Sequence, residues 1–208
     1  MVTSDIIQDV RDQLDQPEST YLTDAMILRW LNEGQRIIAR KTRCIQDSTT
    51  LTTVASQASY TLANVVQIEA IFWDDDGTKL SEISWSSVAL HGMGDATDTG
   101  TPEFWGRWND GATGKIFLYP TPSGAGDTLT VYYTRLPAAL TNVVLEEPEI
   151  PEDAQAMLTV YAQYKYKWQE GEYIEANHIL AVWDDMLRWC KYDTYTESSE
   201  AQSINVEY

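Results

Sequence analysis

Cysteine is scarce in this chain: Cys44 and Cys190 are the only two in 208 residues, far apart and without a CxxC partner. That excludes a disulfide framework and a thiolate zinc site, and leaves both as buried small hydrophobes. Histidine is as sparse, since His91 and His178 stand alone and neither has another histidine at metal-ligand spacing. No catalytic residue, metal site or cofactor is therefore expected. There is no apolar run long enough to span a bilayer, and the start MVTSDIIQDV lacks the basic and apolar stretches of a signal peptide. The chain reads as soluble and cytosolic, with no membrane partner. Basic residues are short too: 14 Lys and Arg face 32 Asp and Glu, a formal net charge of −18. Residues 1–43 hold six of the bases and seven acids, so nearly all of the acidic excess falls after Arg43. Tight DNA binding is excluded, because affinity for phosphates comes largely from cations that release counterions. An acidic wall still lets DNA slide past.

What is present is a change of period along the chain. The first 43 residues read as two helices split by QPESTY at 16–21. Ser4 is placed to cap the first, whose apolar face is Ile6, Ile7, Val10 and Leu14; Thr23 is placed to cap the second, with the stripe Ile27, Leu31 and Ile38. From about Ser48 to Leu136 short β-like segments alternate with Gly, Pro, Asp and Ser clusters. In TLTVYYTRL (128–136), Leu129, Val131 and Tyr133 face one way and Thr128, Thr130, Tyr132 and Thr134 the other. KIFLYP (115–120) and VVQIEAIFW (65–73) are further strands, and DDDG (74–77) is a turn. SWSSVALHG (84–92) reads as a short helix and HGMGDATDTGTP (91–102) as a mobile loop. Pro151, Glu152 and Asp153 open a helix striped by Met157, Tyr161, Tyr164 and Trp168. Gly171 ends it, and Ile179, Val182, Trp183, Met186 and Cys190 stripe the next. The acidic stretch 193–208 is expected to be disordered alone in water. The fold class is therefore α+β. Helices from both ends (1–47 and 137–192) form one helical bundle, with an antiparallel β-sandwich or small barrel (48–136) inserted and an extended acidic tail (193–208) behind.

Sequences that resemble chemical motifs fail on inspection. GATGK (111–115) lacks the glycine at 109 and the Ser or Thr at 116 that a phosphate loop needs, having Asn109 and Ile116. Asp74, Asp75 and Asp76 are followed by glycine at the fourth position of the run, too early for a calcium loop. Glu146, Glu147, Glu149, Glu152 and Asp153 imitate a paired-carboxylate site, but beside two prolines at a helix start they serve the helix dipole and solubility.

Two features remain. Arg29, Arg36, Arg40 and Arg43 recur along one face of the second helix. They can touch DNA phosphates, pair with acids on a neighbouring copy, or form a solvated face; with the rest of the chain so acidic, pairing between copies is the economical reading. The tryptophans of the β region, Trp73, Trp85, Trp105 and Trp108, either fill a core or stack on sugars or a protein partner, and the core is favoured.

In order, WLNEGQRIIARKTRC (30–44), TLTTVASQASYTL (50–62), GTPEFWGRW (100–108), IFLYPTPSGAGDTLTVYYTRLP (116–137) and PEIPEDAQAMLTVYAQYKY (148–166) resemble the head-to-tail adaptor, or connector, proteins of tailed bacteriophages. The resemblance implies a structural virion protein with no enzymatic activity. It would form a ring, usually of twelve copies, beneath the portal protein, extend the DNA channel and offer a surface to tail or nozzle proteins. Its place would be the virion neck, reached from the host cytoplasm during assembly. On that expectation Arg29, Arg36, Arg40 and Arg43 belong to the subunit interface. Tyr195, Ile204, Val206 and Tyr208 would dock on the portal, and His91, Met93, Trp105 and Trp108 belong to a loop facing the tail. The alternative is a carbohydrate-binding or tail-associated β module using exposed tryptophans, and a third reading is an acidic-site hydrolase.

Overall fold

Helices from both ends of the chain share a core that the β region between them does not enter. The computed structural model describes residues 1–17, 21–74, 77–84, 86, 98–109, 114–141 and 146–201, and the side chains of all of these except 108, 109 and 191–201. One unit comprises Met1–Ile45 and Leu136–Tyr208, the other Gln46–Arg135.

The helical unit contains α1 (Thr3–Gln13), α2 (Asp24–Thr42), α3 (Glu152–Gln169) and α4 (Tyr173–Ala201). Its core takes Ile6, Ile7 and Val10 from α1 and Ile27, Leu31 and Ile38 from α2, as their spacing requires. The α2 cap is as expected, Thr23 Oγ1 accepting from the Met26 N–H at 3.3 Å. The α1 cap is not, because the helix begins at Thr3, one residue before Ser4. Thr3 instead anchors that end, donating from its N–H and its hydroxyl to the Glu146 carbonyl at 2.9 and 2.6 Å. Gly171 closes α3 at φ +82°, a conformation that costs an L side chain energy. Arg11 ties α1 to the start of α2, donating to the Asp24 carboxylate at 2.6 Å and the Leu22 carbonyl at 2.7 Å.

Three expectations for the last part of the chain fail in whole or in part. On α4 the core takes Trp183 and Leu187, with Leu180, Met186 and Cys190 half-buried against it; Trp183, Met186 and Cys190 of the expected stripe thus pack inward, whereas Val182 lies on the exposed side and Leu187 takes its place. Trp168 also leaves the expected stripe of α3, lying exposed with its ring edge-on to Tyr173 at 5.0 Å. The helical backbone runs on to Ala201, into the stretch expected to be extended. Once a long helix is nucleated, each further residue adds a hydrogen bond at little entropic cost.

The β unit is a sandwich. One sheet has the order β1 (Gln46–Thr52), β10 (Thr128–Arg135), β3 (Val65–Trp73), β4 (Thr78–Lys79); the other runs β2 (Ser59–Leu62), β8 (Gly114–Tyr119), β7 (Phe104–Asn109), β5 (Ser81–Glu82). The DDDG turn is confirmed at its edges, where Trp73 pairs with Thr78. Pairing is antiparallel apart from β5 with β7, and β6 (Thr99–Gly100) with β9 (Thr121–Pro122) in a short third ladder. That third ladder takes in Thr99 and Gly100 of the expected loop 91–102; residues 91–97 of that loop and nearly all of the expected helix at 84–92 lie outside the described residues.

Strand β3 buries Ile68, Ile71 and Trp73 and packs Val65 against the same core, spacings of three, three and two. Strict alternation would turn alternate members outward. The register against β10 slips twice, at Tyr132/Tyr133 and Thr134/Arg135. Each slip leaves an extra residue on β3, a bulge that returns the next apolar side chain to the core. Thr134, assigned outward by alternation, is buried, its hydroxyl donating to Gln67 O at 3.4 Å.

Arg107 of β7 answers the carbonyls at this irregularity. Its Nη1 donates to Val66 O at 2.7 Å and its Nη2 to Val65 O at 3.1 Å, joining one sheet to the other. Charge-assisted bonds of this kind stabilise by about 2 kcal/mol, so Arg107→Ala should lower the unfolding free energy by about that amount and Arg107→Lys by less. Denaturant titration followed by tryptophan fluorescence reads the difference, and an unchanged midpoint for the alanine variant contradicts the bridge.

Candidate docking surface on the second helix

The face of α2 turned away from the helical core is built by a period that never returns to the apolar stripe. Arg29, Glu33, Arg36 and Arg40 are three or four residues apart and all exposed. With Lys41 they border an open groove of ≈ 830 Å³ whose floor includes Leu28, Ile37 and Ala139. Arg29, Arg36, Arg40 and Lys41 enter no ion pair among the described residues. Arg43 stands apart from them as the half-buried C-cap residue, in the left-handed region at φ +57° with its N–H on Ala39 O.

One wall of the groove is an irregular segment that α2 grips by side-chain amides. Asn32 donates to Leu140 O at 2.9 Å and accepts from the Leu140 N–H at 2.7 Å, as a neighbouring strand would. Gln35 donates to Ala138 O at 2.8 Å, and Glu149 accepts from the Ala138 N–H at 2.9 Å. Glu146 accepts from the Thr141 N–H and hydroxyl. Part of the acidic cluster thus satisfies backbone donors. The sequence carried one signal for this grip: Gln35 falls in register with Leu31 and Ile38, where an apolar residue is expected.

Glu33, in the midst of the arginines, is occupied by its own unit. Lys165 Nζ lies 2.9 Å from its carboxylate. Partial burial pushes the Glu33 carboxyl up, but hydrogen bonds from Lys165 and Tyr161 and the charges of Lys165 and Arg29 outweigh it and hold the group below its ordinary value. The Tyr161 phenol moves well above its usual range, through burial first and then its bond to Glu33. Because the folded-state value of Glu33 is depressed, its contribution is present above the unfolded value near 4.5 and lost as the pH falls through the folded one. Melting temperature should therefore fall on acidification below about pH 4.5, and Glu33→Gln should remove part of that slope, at most about 1 kcal/mol because the side chain is half solvated. Identical pH profiles for the two proteins would contradict the assignment.

Other expected site residues are placed differently. Trp105 does not belong to an exposed loop: it lies in β7 with 3 % of its surface exposed, inside the sandwich core. It is unavailable as a flat platform for a sugar. Trp108 follows in the same strand, its side chain outside the described residues, as are His91 and Met93 entirely. Tyr195 lies on α4 beyond the described side chains, and Ile204, Val206 and Tyr208 are outside the described residues. Neither cysteine forms a disulfide, both are half-buried, and burial pushes the Cys44 thiol above its ordinary value. A smaller cavity of ≈ 290 Å³ in the β unit is bordered by Glu69, Lys79 and Glu82, with both carboxylates exposed. Among the described residues no cluster of three or more His, Cys, Asp or Glu is arranged to hold a metal ion, and no helix is long and apolar enough to cross a membrane.

A protein-family model described as SU10 adaptor protein matches residues 1–188, spanning both helical ends and the whole β unit. No curated protein matches the chain.

Proposed function

The chain belongs to the SU10 adaptor protein family, a phage head-to-tail adaptor family, and from that membership we propose that identical copies close into a ring below the portal, extending the DNA channel and carrying the tail. The family supports the structural adaptor role itself. The observation that carries the ring reading is the exposed arginine face of α2, whose Arg29, Arg36 and Arg40 enter no ion pair among the described residues, in a chain of net charge −18. A basic face on a chain with so large an excess of acids lets copies attract one another head to tail, a contact that repeats and closes. A channel wall of this composition gives phosphates no counterion-release gain, so DNA passes without being held. The ring numbers twelve copies and has no enzymatic activity. Tyr195, Ile204, Val206 and Tyr208 dock on the portal, and His91 and Met93 lie in the contact with the next tail protein.

Electron microscopy of the purified protein mixed with its portal tests this. An annulus seated on the portal is the expected image; bare portals, or virions whose neck lacks this polypeptide, overturn the reading. Truncation after Tyr192 tests the docking residues separately: the chain should fold but lose the portal, and undiminished docking refutes their role.

A further inference from the structure

The α2 groove has a counterpart on the same chain. Helix α4 turns Ala176, Leu180, Trp183 and Leu187 inward, and its opposite side presents Ile174, Val182 and Trp189, exposed by 92 %, 44 % and 71 %. At 3.6 residues per turn these three fall within one quadrant of the helix. Large apolar side chains aligned on a solvent-facing helix mark a contact that the isolated chain does not make.

The two surfaces match in length, polarity and charge. Ile174 to Trp189 covers about 22 Å of helix, and Ala25 to Lys41, the ends of the groove, about 24 Å. The groove has an apolar floor at Leu28 and Ile37 between basic rims. Between Tyr173 and Cys190, α4 carries Glu175, Asp184 and Asp185 against the single base Arg188, so its charge is opposite to that of the groove. Asp184 enters no ion pair among the described residues, whereas Glu175 is held by Lys167 and Asp185 by Arg188. The exposed sides of α2 and α4 are separate surfaces, each turned from the shared core, so joining them requires two copies and leaves one groove and one α4 face free at the ends.

We propose that the outward face of α4, centred on Ile174, Val182 and Trp189, seats in the α2 groove of the next copy and is the contact that propagates the ring. Apolar residues supply the burial, and the arginine rims orient α4 and select its acidic flank. This rests on the ring reading and adds the partner surface to it.

Cross-linking of the full chain assembled on its portal tests the proposal. Ile37→Cys on the apolar floor of the groove and Ala181→Cys at the middle of the α4 face are combined in a chain whose native Cys44 and Cys190 are changed to serine. A short bismaleimide should then give a ladder of covalent multimers, and each single-site chain should give none. Trp189→Asp, at a position too exposed to disturb the fold, should lower the yield of rings at least tenfold or so with unchanged helical circular dichroism. Wild-type rings together with no ladder and normal ring formation by Trp189→Asp overturn the α4 contact and leave the ring reading standing. Failure of the wild-type chain itself to form rings on the portal overturns the ring reading.

Discussion

Gly34→Val should weaken the helical unit by about 3 kcal/mol, the cost of overpacking a tight helix contact. A Cβ at position 34 meets Leu158 Cδ2 and Tyr161 Cδ1, each at 3.1 Å. Alanine already asks α3 to yield by a few tenths of an ångström, a cost partly offset by about 1 kcal/mol of better helix propensity. Valine adds two γ-carbons that have no room. Tyr161 cannot move freely to receive them, since its ring packs on Trp183 at 5.2 Å and its phenol is bonded to Glu33. Thermal melts of the alanine and valine variants should show a small and a large loss respectively. Equal stability of all three proteins would mean that α2 and α3 do not approach so closely. The variant also bears on assembly, because a displaced α2 carries Arg29, Arg36 and Arg40 with it and should lower ring yield.

Trp105→Ala should cost the β unit about 3–5 kcal/mol, and Trp105→Phe clearly less. The indole packs in the sandwich core with Leu80, Ile116 and Leu118, and its removal leaves a cavity that the two sheets cannot close without losing register. The same measurement separates two functions. A tryptophan that stacks on a sugar from an exposed face can be replaced with little change in melting temperature and a loss of binding. The buried ring predicts the reverse, a large drop in stability as the primary effect.

How far the sequence could be read depended on whether a signal was local. The α2 stripe was legible because Ile27, Leu31 and Ile38 face one shared core, and both the Thr23 cap and the Gly171 stop are decided within a few residues. Strand β3 was legible in its bounds and illegible in its facing: Val65, Ile68 and Ile71 are three apart, and only pairing with β10 creates the bulges that bring them to one side. The α4 stripe was legible at Trp183, Met186 and Cys190 and misread at Val182, because apolar residues occupy more than half the circumference of that helix. Periodicity cannot tell a face buried within the chain from one reserved for another molecule. The arginine face was legible as a face, but Asn32 and Gln35, which hold the groove wall against α2, act on residues more than a hundred positions away.

By itself the sequence determined an α+β chain of helical ends around a β insert, strongly acidic outside its first helices, because period, capping and charge are written in near neighbours. Only the tertiary structure decided that the insert is a bulged sandwich, that Trp105 is core, and that α2 and α4 keep free faces of opposite charge. Burial and pairing belong to the partner a residue meets, and those partners lie far along the chain.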